Sequence, residues 1–171
     1  MTRGLSRTGF QTAALVTLRI LIGWHFLYEG LAKVLSPYWT SAEYMDQARW
    51  LFRGLFQSLA ASPTAVAVVD FLNAWGLTLI GAGLLVGLLT RTAAACGLLL
   101  LVLYYIVAPP FVGLLYAMPA EGSYLVVNKV LVEAAALLVL LAFPTGHRYG
   151  LDGLVFRKRG AEYQALERAG A

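Results

Sequence analysis

Apolar residues dominate four long stretches of the chain, separated by polar or proline-containing breaks. Their lengths predict four membrane-crossing helices at about 12–35, 64–89, 92–108 and 124–143. Each is near the ~20 residues that a helix needs to cross hydrocarbon. A helix satisfies its own backbone hydrogen bonds there, which an open strand or loop does not. Residues 41–60 follow a different pattern. Tyr44, Met45, Ala48, Leu51, Phe52, Leu55, Phe56 and Leu59 form a stripe at helical spacing, with Glu43, Asp46, Arg53 and Gln57 largely off it. Thr40 and Glu43 stand at capping-box spacing. The pattern predicts an amphipathic helix that lies on the membrane surface or caps the bundle. The expected architecture is all-α: an integral membrane four-helix bundle, in one domain over 1–171, with an extra amphipathic helix on the outer side between spans 1 and 2.

The connections suggest an orientation. The second and third spans are joined by a short link around Arg91, which forces an antiparallel hairpin. With Arg91 on the cytoplasmic side, Arg3, Arg7 and the run Arg157, Lys158, Arg159 fall on that side too, as the positive-inside rule predicts. Both termini are then cytoplasmic, and the N-terminal stretch reads as an uncleaved first span, since no small-x-small cleavage pattern follows it. The connections at 36–63 and 109–123 lie outside. Pro109 and Pro110 end the third helix, Ser123 is suited to cap the fourth, and Pro144 and Gly146 close it before a polar tail at 144–171.

Composition sharpens this picture. Of 171 residues, 60% are hydrophobic and 13% charged, with a mean hydropathy of +0.72. A soluble domain carries about a quarter charged residues. The net charge of +4 flanks the apolar spans, so it marks an anionic lipid surface and not nucleic acid. The single cysteine, Cys96, excludes an internal disulfide and cysteine-rich zinc or iron–sulfur sites from this chain alone.

The first span poses the chemical question. Arg19, His25, Glu29 and Lys33 fall within an arc of roughly 120° on a helical wheel. Glu29 is a helical turn from both His25 and Lys33, so both pairs can touch. A charge at the centre of a lipid-facing helix costs about 2.5–3.5 kcal/mol, so the stripe must face protein or trapped water. The second span adds Asp70 and Asn73, and the fourth adds Asn128, Lys129 and Glu133. The third offers only Tyr104 and Tyr105 near its outer end. Apart from Arg19 near the inner side and His25 near the middle, these ionic and amide groups are expected to converge in the outer half of the bilayer. Buried ion pairs can merely hold helices in register, but ionisable groups inside a membrane also mark substrate or proton paths. Arg19 suits headgroup snorkelling as well as site lining. His147 is placed at the cytoplasmic end, which argues against bis-histidine haem ligation with His25. Proton transfer beside Glu29 and a plain structural hydrogen bond both suit His25.

Several segments together resemble the DoxX/DoxD-like family of small four-span bacterial membrane proteins. They are Arg19, Gly23, Phe26, Gly30 and Lys33 in the first span; the hairpin "GLLVGLLTR" ending at Arg91; "NKVLVEAAALLVLL" in the fourth; and the close at Gly146, Gly150, Leu151 and Asp152. The resemblance implies a bundle in the bacterial inner membrane and a link to quinone chemistry of the thiosulfate:quinone oxidoreductase kind. Combined with the stripe, it makes a quinone-linked oxidoreductase, or a membrane subunit of one, the leading expectation. Glu29, Lys33, His25, Asp70 and Glu133 are the candidate proton-handling residues, and Arg19, Asn73, Asn128 and Lys129 the candidate substrate-binding ones. No covalent cofactor motif or metal site is present in the sequence, so electrons call for a bound carrier, a periplasmic or membrane partner subunit, or a second substrate. A binding or transport protein for a small solute, and a non-catalytic docking subunit, are the alternatives.

Overall fold

The structure, a computed structural model, describes residues 9–114, 116 and 125–155, without the side chains of 147 and 148. Ser123, the Arg157–Arg159 run and both chain ends lie outside the described residues. Among the described residues seven helices follow in order: α1 (Gly9–Leu35), α2 (Ala42–Asp46), α3 (Arg53–Ala60), α4 (Pro63–Val86), α5 (Thr90–Val107), α6 (Lys129–Ala142) and α7 (Gly146–Tyr149). The described residues form no strand. Helices α1, α4 and α5 are each long and apolar enough to cross a membrane.

The four longer helices pack in a cycle: α1 on α4, α4 on α5, α5 on α6, and α6 back on α1. The core at their centre is built from Phe26, Leu77, Leu84, Leu101 and Leu137. On the outside, Leu21, Trp24, Phe71, Leu79, Leu99 and Leu138 are all more than half exposed. In water such a belt would be a liability; in hydrocarbon it is the expected surface.

Helices α1 and α4 share the most extensive interface in the cycle, and glycine explains it. A Cβ on Gly81 would fall 2.6 Å from Leu27 Cα, and one on Gly30 would fall 2.8 Å from Thr78 Cα. Small residues let transmembrane backbones approach, so dispersion contacts accumulate where no hydrophobic force separates helix from lipid.

Local signals set most helix ends. Ser62 caps α4, accepting from the Ala65 amide, and Pro63 occupies its first turn. Gly87, at φ +71°, closes α4 in the left-handed region. The break after α5 falls at Ala108, just before Pro109. At the start of α5 the cap comes from far away. Leu89 stands at φ 52° without a side-chain cap, and Asp152 supplies one, accepting from Leu89 N at 2.6 Å, Thr90 N at 3.1 Å and Thr90 Oγ1 at 2.6 Å.

Expectations for two segments need correction. The single amphipathic helix at 41–60 is broken into α2 and α3, with Phe52 at φ 60° between them. Met45 and Ala48 are buried against the bundle, and Trp50 packs edge-on to Phe111. A straight helix of that length, about 30 Å, could not hold these anchors. The capping box is also absent: the N-cap residue is Ser41, with no side-chain cap bond, because its hydroxyl goes to Asp70. The fourth span is the other correction. Its helix begins at Lys129 and runs 14 residues, about 21 Å. The chain before it turns at Leu125, φ 65°, and Asn128 caps the helix by accepting from Leu131 N at 3.0 Å. An asparagine side chain competing for backbone amides ends a helix as readily as it starts one.

Candidate functional site

A cavity of about 150 Å³ lies among the helices, in the half nearer the 36–62 connection. His25, Glu29 and Lys33 reach it from α1, Tyr104 from α5, and Lys129 and Glu133 from α6. Phe26, Leu77, Leu101 and Val130 complete the wall. The α1 stripe turns inward here because Gly23, Phe26 and Gly30 bury the adjoining face.

The charges are arranged in pairs. Glu29 Oε2 accepts from Lys33 Nζ at 2.6 Å, a turn apart on α1. His25 Nε2 and Glu133 Oε1 stand 3.2 Å apart, from α1 to α6. With Lys129, two lysines face two glutamates across one small volume, so the site is formally balanced when His25 is neutral. This balance lowers the cost of holding ions away from water. A histidine beside a carboxylate can pass a proton.

Tyr104 links the site to its cover. Its hydroxyl accepts from Asn73 Nδ2 at 2.6 Å, leaving the phenolic proton to donate. Its carbonyl accepts from the Tyr44 hydroxyl at 2.8 Å, and the two rings meet edge to face with centroids 5.8 Å apart. Burial pushes the Tyr44 phenol well above the ordinary tyrosine range. Trp39 lies under the Lys33 ammonium, 5.5 Å from ring centroid to nitrogen.

Of the nine residues singled out from sequence, five line the cavity: His25, Glu29, Lys33, Lys129 and Glu133. Asn73 stands one layer behind, on Tyr104. Asp70, expected to handle protons, lies outside the lining; it accepts from Ser41 N at 2.7 Å and Ser41 Oγ at 2.5 Å and so anchors α2. Asn128, expected to bind substrate, spends its side-chain oxygen on the α6 cap. Arg19, the other misplaced binding candidate, belongs to the opposite end. It is 4% exposed and donates to Thr145 Oγ1 at 3.1 Å and Tyr149 O at 2.7 Å, neither snorkelling nor lining the cavity. The ionic groups of the site therefore come from two helices, α1 and α6, and not from three.

Sequence reasoning gave no role to Tyr104 or Tyr44. The available signal was that a lone hydroxyl in an apolar span must find a partner. Asp152 carried a clearer signal, an acid closing a Gly-x-x-x-Gly-Leu-Asp run. Gly150 packs directly on Gly87, and this contact brings Asp152 to α5. Among the described residues, no group of three or more His, Cys, Asp or Glu side chains could hold a metal ion.

The family model for DoxX matches residues 14–110. That stretch holds all but the start of α1, the cover, α4 and α5, and with them His25, Glu29, Lys33 and Tyr104. No curated protein and no solved structure matches the chain. With more than half of its 171 residues inside that match, this multi-pass membrane protein belongs to the DoxX family.

Proposed function

We propose that the cavity binds the head of a quinone and that the protein is a quinone-linked oxidoreductase, or the quinone-binding membrane subunit of one, in a bacterial inner membrane with both termini cytoplasmic. The observation that carries this reading is a ring-sized volume with acid–base pairs set into an apolar wall. A cavity of about 150 Å³ holds one benzene-sized ring. Phe26, Leu77 and Leu101 offer the ring faces apolar contact, and Lys129, Lys33 and the Tyr104 hydroxyl are donors suited to its carbonyl oxygens.

Reduction of a quinone consumes two electrons and two protons. The electrons come from a partner subunit or a second, reducing substrate. This chain's part is to orient the ring and move protons: His25 and Glu133 exchange one at one carbonyl, and Tyr104 or the Glu29–Lys33 pair serves the other. Paired groups in a water-poor site can do this with little reorganisation.

The test is a titration of purified protein in lipid nanodiscs with a short-tailed benzoquinone, read by tryptophan quenching. Saturable quenching is expected, with affinity lowered about tenfold by His25→Ala and by Glu133→Gln, the loss of one charge-assisted hydrogen bond. Quenching that never saturates, or that both variants leave unchanged, defeats the reading.

A further inference from the structure

The cavity has two sides on which a ligand could arrive, and they are built differently. Toward the 36–62 connection it is covered. Trp39 lies against Lys33, Ser41 is tied to Asp70, and Tyr44 is tied to Tyr104. Toward the lipid, between α1 and α6, the wall is thin. Of the four contacts in the helix cycle, that between α1 and α6 is the least extensive. Its polar link at the cavity is the His25–Glu133 pair.

His25 stands at the edge of the cavity. Its side chain is 47% exposed, on the same face of α1 as the exposed Leu21, Tyr28 and Ala32. These are residues of the lipid-facing belt. An ionisable side chain on the lipid-facing side of a spanning helix is costly. It lines the cavity and borders the bilayer at once.

We infer that the α1–α6 seam is a lateral mouth, with His25–Glu133 as its sill, through which an isoprenoid-tailed substrate enters from the bilayer and leaves its tail in the lipid. The inference rests on the quinone reading and adds the route and the tail. A cavity sized for one ring has no room for an isoprenoid chain, so the tail must stay outside, and the lipid side is where it is soluble. Parting His25 from Glu133 opens the seam and frees both groups for the ring's carbonyl.

The experiment compares two ligands with the same benzoquinone head, one tail-less and one carrying two isoprene units. Binding to protein in nanodiscs is followed by stopped-flow tryptophan quenching. The plug is Ala32→Phe, which places bulk about 20° from His25 around α1 and about 10 Å toward the outer end of the seam, at a position outside the cavity lining; Ala14→Phe, exposed far down the same helix, is the control. The expected result is that Ala32→Phe slows association of the tailed ligand about tenfold, within the span over which such rates vary among variants. The tail-less ligand is slowed less, because a bare ring passes the plug more easily, and the control variant keeps both rates. If both ligands bind and the plug slows neither, the lateral mouth is overturned while the quinone site stands. If neither ligand binds to the unmodified protein, the quinone reading falls and takes the mouth with it.

Discussion

His25 Nε2 lies 3.2 Å from Glu133 Oε1 and joins the middle of α1 to α6 at the edge of the cavity. Removing one partner strands the other in a water-poor setting. Glu133→Leu is expected to lower stability by about 1–3 kcal/mol, the cost of an unmet charged hydrogen-bonding group. The double variant His25→Leu with Glu133→Leu should recover most of that loss, since an apolar pair of similar size suits the site. Quinone binding should stay weak in the double variant. Unfolding in mixed detergent micelles, run beside the quenching titration, separates the two effects; a double variant as unstable as the single one contradicts this account.

At the far end, Asp152 caps α5 through Leu89 and Thr90, close to the buried Arg19. Asp152→Ala removes the cap and a neighbouring counter-charge together. A loss of about 2–4 kcal/mol follows from the two effects combined, with little change in quinone affinity because the cavity is elsewhere. A melting temperature equal to that of the unmodified protein would show that the clasp contributes nothing.

The α1–α4 crossing offers a contrast between two glycines of one helix. Gly81→Ala sets a methyl against the Leu27 backbone and should cost about 1–3 kcal/mol as the helices part. At Gly76 a Cβ meets nothing within 4 Å, so Gly76→Ala should be neutral or stabilise by up to about 1 kcal/mol. Equal effects at both sites, measured by thermal unfolding, would deny that close backbone approach decides this interface.

Tyr44 makes the cover sensitive to alkali. Its folded-state pKa is raised by burial, while the unfolded value is about 10. The folded protein therefore holds this proton longer than the unfolded chain does. The associated stability is complete below about pH 10 and is lost as pH climbs from there toward the folded-state pKa. Tyr44→Phe should cost about 1 kcal/mol at neutral pH for the bond to the Tyr104 carbonyl and should flatten the alkaline fall. Chemical unfolding from pH 8 to 11 measures both; an unchanged alkaline slope in Tyr44→Phe assigns the fall to other groups.

Much of the molecule was legible in the residues themselves. Length and apolarity placed α1, α4 and α5 within a few residues, because a membrane asks for about 20 apolar residues whatever surrounds them. The inward turn of His25, Glu29 and Lys33 followed from the cost of charge in lipid and from helical spacing, which are local properties. Five of the nine site candidates meet at the cavity for that reason.

Tertiary packing decided the rest. Whether a polar side chain in a span lines a site or serves the fold depends on which unmet polar group it can reach. Asp70 found the Ser41 amide, Asn128 found Leu131, and Arg19 found Thr145 and Tyr149, with partners as far as 130 residues away in sequence. The cover breaks at Phe52, φ 60°, a left-handed position that the apolar stripe does not signal. Sequence alone determined which residues cannot face lipid. Only the folded chain could assign each of them a partner, because hydrogen bonds and ion pairs act over a few ångströms and chain separation says nothing about that distance.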